Sequence, residues 1–328
     1  MPAAIVATGI VGATRTAAET QAMGSVFASY DADFAKYADI QWNASGDYWE
    51  GNYYDRAAIY YAMWARDQYS GFPVRAARLA YAYRRDYVES HAYGVAPHWA
   101  MMAGLEKHYL LTGDEASRLA IVRMNEVFTG YLPEYYTPQG GDVRIMARFI
   151  EGALLSWRLT PNGDTPAGAQ PRDWAARLDF VLEKSRAWQQ ADGGYPAAVT
   201  CNTTMNYQVG LLNEALIEAH SYYRADPAIV TQVKRSADYL WNTQWIPSGS
   251  AFAYLSGSCD GVGGFDPAVD LTGMLVSPFG WLSRQLGDAS YRTIGEQVFT
   301  AAVTNAYLVG SKQFNQAYTN SFHYLAWR

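Results

Sequence analysis

Apolar residues return every three or four positions through most of the chain. Met205, Val209, Leu212, Leu216 and Ala219 mark one such stripe, and Ile229, Val233, Ala237 and Leu240 mark another; this is the period of an amphipathic helix. β-Branched runs with strict alternation are nearly absent, so strands are expected only as short pieces within loops. Five short turns rich in Gly, Asp or Pro, at 65–67, 111–114, 159–164, 224–227 and 286–289, each separate one helical pattern from the next. The pattern predicts twelve helices, near 15–38, 53–68, 73–91, 98–112, 115–131, 142–159, 171–190, 204–223, 227–243, 266–286, 289–305 and 312–326.

Charge divides these helices into two kinds. The second member of a turn-linked pair, such as 73–91 or 171–190, carries a charged face for solvent, whereas first members such as 266–286 are apolar nearly all round, as an inner ring requires. Helix 15–38 supplies an outer partner for the first inner helix, and 312–326 closes the inner circle. The expected fold is all-α, an (α/α)6 toroid forming one domain over residues 1–328 with little or no β-sheet. An open superhelix of helical hairpins is the competing arrangement, and it would show stricter repeats and polar caps.

Composition narrows the function classes. The 25 basic and 31 acidic residues give a net charge of −6, which lacks the broad positive field that nucleic acid or an anionic membrane would need. No apolar run reaches the length of a membrane span. Residues 1–11 are apolar but lack a basic n-region, a poor secretory signal. The unusual number is the aromatic count: 26 Tyr, 11 Trp and 12 Phe, so that Tyr alone outnumbers Lys and Arg together. Tyr and Trp join an apolar face to a polar tip and suit both helix packing and stacking on sugar rings.

In a toroid the longer outer-to-inner connections gather at one end, with the N-termini of the inner helices. Here they are 39–52, 92–97, 132–141, 191–203, 246–265 and 306–311, and they hold Trp42, Asn43, Asp47, Tyr48, Trp49, Glu50, Asn52, Tyr93, Glu134, Tyr135, Tyr136, Asp192, Tyr195, Asn202, Tyr254, Asp260 and Tyr307. A mouth with stacking faces, amides and carboxylates fits an oligosaccharide.

The segment Asp192–Tyr195, the run from Asn206 to Glu214 and the hairpin grammar resemble the toroidal carbohydrate-active enzymes, above all the barrel-type polysaccharide lyases. That resemblance implies β-elimination at a uronic acid in a polymer such as alginate or glucuronan: one group neutralises the carboxylate, a base removes the C5 proton and an acid protonates the leaving oxygen. His98, Tyr53 and Tyr207 are the candidate proton-transfer groups, with Tyr54 and Tyr195 as further phenols; a Tyr serves as base only where cations stabilise its phenolate. Arg148, Arg144, Arg56, Asn206, Asn52, Trp42, Trp49, Tyr195 and Trp99 are the candidate substrate contacts. Arginines on an inner helix pair otherwise with Glu106, Glu151 or Glu214.

Two other functions stay open. An inverting glycoside hydrolase would draw its acid and base from Asp47, Glu50, Asp55, Glu134, Asp142, Asp192, Asp260, Asp266 and Asp270, and this surplus of acids favours it. A non-catalytic glycan-binding module is the third. The only cysteines, Cys201 and Cys259, are either a disulfide, which implies an oxidising compartment, or two buried thiols. Zinc held by them with His323 lacks the Asp-x-Cys pattern of zinc-using toroids. No cofactor is required; stretch 260–270 is a calcium candidate without EF-hand spacing. The expected partner is a polysaccharide, met outside the cytoplasm.

Overall fold

The computed structural model describes residues 2–67, 69, 71–135 and 141–328, without the side chains of residues 2 and 131–135. Two short helices, α1 (Pro2–Ala7) and α2 (Ala17–Gln21), precede the first long outer helix, α3 (Ser25–Ser45), and the first inner helix, α4 (Arg56–Asp67). Outer and inner helices then alternate. They are α5 (Gly71–Ala82), α6 (Ala103–Thr112), α7 (Glu115–Tyr135), α8 (Val143–Leu159), α9 (Trp174–Trp188), α10 (Asn206–Glu218) and α11 (Pro227–Tyr239). The last turn round the ring is α12 (Ser277–Leu286), preceded by a 3-10 turn at Val269–Leu275, then α13 (Ala289–Thr304), and finally α14 (Ser311–Tyr318) with α15 (Ser321–Trp327). Inner helix α4 contacts α6, the 3-10 turn at Pro97–Trp99 ahead of α6 contacts α8, α8 contacts α10 and α10 contacts α12. Helix α14 returns to α4 and α13 to α3, so the ring is closed. The predicted all-α toroid is the observed fold. Among the described residues the strands are Trp245–Ile246 and Ala251–Phe252, an antiparallel pair within a loop, and no helix is long and apolar enough to cross a membrane.

Local chemistry explains the punctuation. Asp142, Asp173, Asp226 and Asp288 each precede a helix and accept a backbone N–H from its first turn, as N-caps do. Gly113 and Gly287 end α6 and α12 in the left-handed region, at φ 75° and 66°, where a side chain would be strained. Several predicted helices are broken instead of continuous: 15–38 divides into α2 and α3 around Gly24, at φ 134°, and at the start of 98–112 a 3-10 turn at Pro97–Trp99 precedes α6. Pro278, at the start of α12, cannot continue an α-helical hydrogen-bond ladder from the 3-10 turn before it. Between α14 and α15 the chain breaks at Thr319 and Asn320, which border the ring axis.

The inner helices press closely. Asp55, at φ 59°, accepts the N–H of Ala58 on one oxygen and of Gly104 on the other, at 3.2 and 2.9 Å, tying α4 to α6. A Cβ on Gly104 would overlap Asp55 Oδ1 and stand 2.8 Å from Ala57 Cβ. Gly104→Ala is therefore expected to lower stability by about 1–3 kcal/mol despite its better helix propensity. Urea unfolding reads this, and a variant as stable as the parent would contradict the close approach.

Candidate functional site at the mouth of the ring

The N-termini of α8, α10, the 269–275 turn and α14 surround two adjoining depressions of about 290 and 340 Å3, which share Tyr207 and Tyr254. The two rings lie 5.8 Å apart and 26° from parallel, a partition between the halves. Asp142, Arg144 and Gln208 line one half; Asp266, Asp270, Lys312 and Gln316 line the other.

Arg144 is the hub. Its guanidinium donates to Tyr53 Oη at 3.1 Å and to Asp142 Oδ2 at 2.9 Å, while its backbone N–H donates to Asp142 Oδ1 at 2.9 Å. Burial opposes its charge, but Asp142 and the phenols of Tyr207, Tyr53 and Tyr54 outweigh that, and its pKa rises. Burial pushes Tyr53 and Tyr54 up to about 12 and raises Tyr207 and Tyr254, with Arg144 opposing only in part. All four phenols are thus proton donors at neutral pH. Burial, then Arg144, lowers the pKa of His98, whose imidazole is neutral there.

An aromatic chain flanks this hub. Trp49 lies flat on Tyr87, with centroids 4.3 Å apart, and edge-on to Trp99 at 5.3 Å; Trp99 meets Tyr53 at 4.3 Å, and Tyr53 meets Tyr54 at 4.6 Å. Tyr83 Oη donates to the Trp99 carbonyl at 2.5 Å and fixes that turn. The structure therefore brings together His98, Tyr53, Tyr207, Arg144, Trp49 and Trp99.

Other candidates lie elsewhere. Arg56 is 0% exposed and its donors go to Asn315, Ser45 and Ser311, so it clasps the first inner helix to the last. Asn206 is 0% exposed and donates to Gln244 and the Ala253 carbonyl. Asn52 accepts the Ala57 N–H and caps α4. Buried Tyr195 accepts from Gln232. Trp42 sits on α3, not in a connection, and lies against Arg75 and Arg78 at 5.4 Å. These five are corrected from substrate contacts to packing, because each is held by partners inside the protein, although Asn206 Oδ1 keeps none among the described residues. Arg148 pairs with Glu151 at 2.6 Å and borders a separate cavity on the ring axis. Tyr136 lies outside the described residues, as do the side chains of Glu134 and Tyr135.

No motif marks Gln208, Lys312 or Gln316; their one signal in the sequence is position within the first two turns of inner helices. Among the nine acids weighed for hydrolysis, Asp142, Asp266 and Asp270 line the depressions. Asp47 pairs with Arg78, and Asp192 accepts the Gly194 N–H. Asp260, Asp266 and Asp270 form no three-ligand cluster among the described residues.

Cys201 and Cys259 are bonded to each other, with Cα atoms 5.4 Å apart, and His323 is instead hydrogen-bonded to Glu214, so the Cys–Cys–His zinc arrangement is excluded. The bond joins the loops that carry Thr200 and Val262 to the first depression. It closes 58 residues, for which chain entropy gives about 4 kcal/mol. Cys201→Ala/Cys259→Ala is expected to lose up to about that much stability in urea; an unchanged stability would refute the tie.

Neither a family model nor a curated protein sequence matches the chain. Among solved structures, an unsaturated glucuronyl hydrolase specific for heparin aligns with 82% of each chain at TM-score 0.59 and 10% identity. The unsaturated glucuronyl hydrolase of Bacillus sp. GL1, described as responsible for the degradation of glycosaminoglycan, aligns with 80% of this chain and 74% of its own at TM-score 0.57 and 10% identity. At that identity the likeness establishes the architecture: this chain has the helical toroid of the unsaturated glucuronyl hydrolases.

Proposed function

We propose that the protein is a glycoside hydrolase acting on a uronate-bearing oligosaccharide bound across the Tyr207–Tyr254 pair. The carrying observation is that carboxylates stand on both sides of this pair while every phenol around it is held protonated. Tyr254 senses both Asp142 and Asp270, one from each half. In this reading the Asp142 carboxylate takes a proton from the water whose oxygen bonds to the sugar carbon, and Asp270, entering the step as the carboxylic acid, gives its proton to the oxygen that departs as the C–O bond breaks. The phenols donate to the sugar, and Lys312 meets its carboxylate. β-Elimination, the first expectation, would need a phenolate that burial disfavours. Its one support is neutral His98, which can accept a proton beside Arg144.

The resemblance to unsaturated glucuronyl hydrolases selects the substrates to try first: oligosaccharides carrying a terminal unsaturated uronyl residue, with intact polyuronates beside them. Loss of ultraviolet absorbance from the unsaturated substrates, with new reducing ends, is the expected result. A rise in absorbance from polyuronates would establish elimination and overturn the proposal, and binding without products would leave a glycan-binding module. The Cys201–Cys259 bond supports a further proposal, that the enzyme works in an oxidising compartment outside the cytoplasm.

A further inference from the structure

Deeper on the ring axis, Glu214 and Glu218 stand four positions apart on α10, hence on one face of that helix, and His323 meets them from α15. One ligand-capable atom from each lies within 4.8 Å of the other two. His323 Nδ1 and Glu214 Oε1 are hydrogen-bonded, and Ser277 Oγ donates to the second oxygen of Glu214 at 2.5 Å. The Glu218 carboxylate has no hydrogen bond or ion pair among the described residues.

These groups border a cavity of about 60 Å3, room for an ion with one or two waters. A second, independent observation comes from Asn320, which borders the same cavity, is only 6% exposed, and has an Nδ2 with no hydrogen-bond partner. Charge gives a third. The cavity wall carries Asp55, Glu151, Glu214 and Glu218 against Lys107 and Arg148, an excess of two carboxylates in a place where unpaired charge is costly.

We propose that Glu214, Glu218 and His323 bind a divalent transition-metal ion, best matched by Zn2+, with Asn320 donating to a metal-bound water. An ion of charge +2 cancels the excess. A mixed imidazole and carboxylate set suits Zn2+, whereas Ca2+ and Mg2+ take oxygen ligands. With bonds of about 2.1 Å, tetrahedral ligands stand about 3.4 Å apart, so the ion takes the place of the proton between His323 and Glu214, and that proton moves to Nε2 as the neutral imidazole binds in its Nε2–H tautomer. Supporting contacts are already built. Ser277 orients Glu214, and the backbone at Gly12 comes so near that a Cβ there would lie 2.8 Å from His323 Nε2. The site fastens α10 to α15 on the axis, and none of its ligands lines the mouth, so it is independent of the hydrolase reading.

The test uses the whole protein, stripped with a chelator, desalted after exposure to Zn2+, Mn2+ or Ca2+, and assayed for metal per chain by plasma mass spectrometry with a parallel melting curve. One Zn2+ per chain and a raised melting temperature are expected, with no retained Ca2+. Glu218→Gln keeps the side-chain shape and breaks no hydrogen bond, so it is expected to fold and to bind Zn2+ at least tenfold more weakly. His323→Gln is the second variant, and loss of the visible absorption of the Co2+-loaded protein reads both. Parent protein that retains no metal and melts unchanged overturns the site, as does Glu218→Gln protein that binds like the parent.

Discussion

Asp142→Asn is expected to lower turnover on the cognate saccharide by about 10²–10⁴-fold, the usual effect of removing a general base. The substitution isolates the charge. Asparagine caps a helix about as well as aspartate, so the hydrogen bond from the Arg144 N–H to the residue-142 oxygen persists and the fold should lose no more than about 1 kcal/mol. What disappears is the proposed acceptor for the water proton and the anionic partner of the Arg144 guanidinium. Single-turnover rates measure this directly, and an Asp142→Ala control adds the loss of the cap. If Asp142→Asn keeps turnover within tenfold while His98→Ala abolishes it, the proton goes to the imidazole and the assignment of Asp142 is wrong.

The largest stability effect is expected from Arg66→Met, a loss of about 3–5 kcal/mol, which is a large share of the 5–15 kcal/mol typical of a folded protein. Arg66 is closed off from solvent at the end of α4, and it donates to Asp31 at 2.5 Å, to the Arg15 carbonyl at 2.7 Å and to Thr14 at 3.0 Å. Methionine fills much of the volume but leaves the Asp31 carboxylate buried and alone. Burial raises the Asp31 pKa even with Arg66 present. Without Arg66 the native value rises further, so the native state binds a proton more readily than the unfolded chain does. The penalty is then fully present at neutral pH and shrinks as pH falls toward about 4, where the unfolded carboxylate also protonates. A loss that stays constant over that range would mark a packing defect and not an uncompensated charge. The double variant Asp31→Leu/Arg66→Met should recover most of the loss, because a buried pair replaced by apolar groups of similar volume is often near neutral.

The ring was legible in the sequence because helical burial repeats locally. Val209, Leu212 and Leu216 on α10 with Ala219 just past its end, and Ile229, Val233 and Ala237 on α11 with Leu240 just past its end, are all at most 1% exposed, as their spacing requires. The mouth was legible in part for the same reason: its position follows from helix polarity, which brought His98, Tyr53, Arg144 and Tyr207 into view. Arg56, Asn206 and Asn52 occupy equivalent positions by sequence yet face inward. Their partners decide this, and two of the three find them far along the chain: Arg56 meets Asn315, 259 residues away, and Asn206 meets Ala253. No local pattern encodes such a partner. The same limit hid the axial cluster, in which His323 and Glu214 are 109 residues apart.

The clasp between the first and last inner helices has a kinetic consequence. Most of the ring consists of neighbouring helix pairs, which form from contacts close in sequence and therefore quickly. The circle cannot close until Arg56 finds Asn315 and Arg15 finds the Leu325 carbonyl, 259 and 310 residues away. Loop-closure entropy grows only slowly with such lengths, but all of it is incurred before these hydrogen bonds form. The clasp is thus a late event in folding. Weakening it should speed unfolding and leave the rate of folding almost untouched.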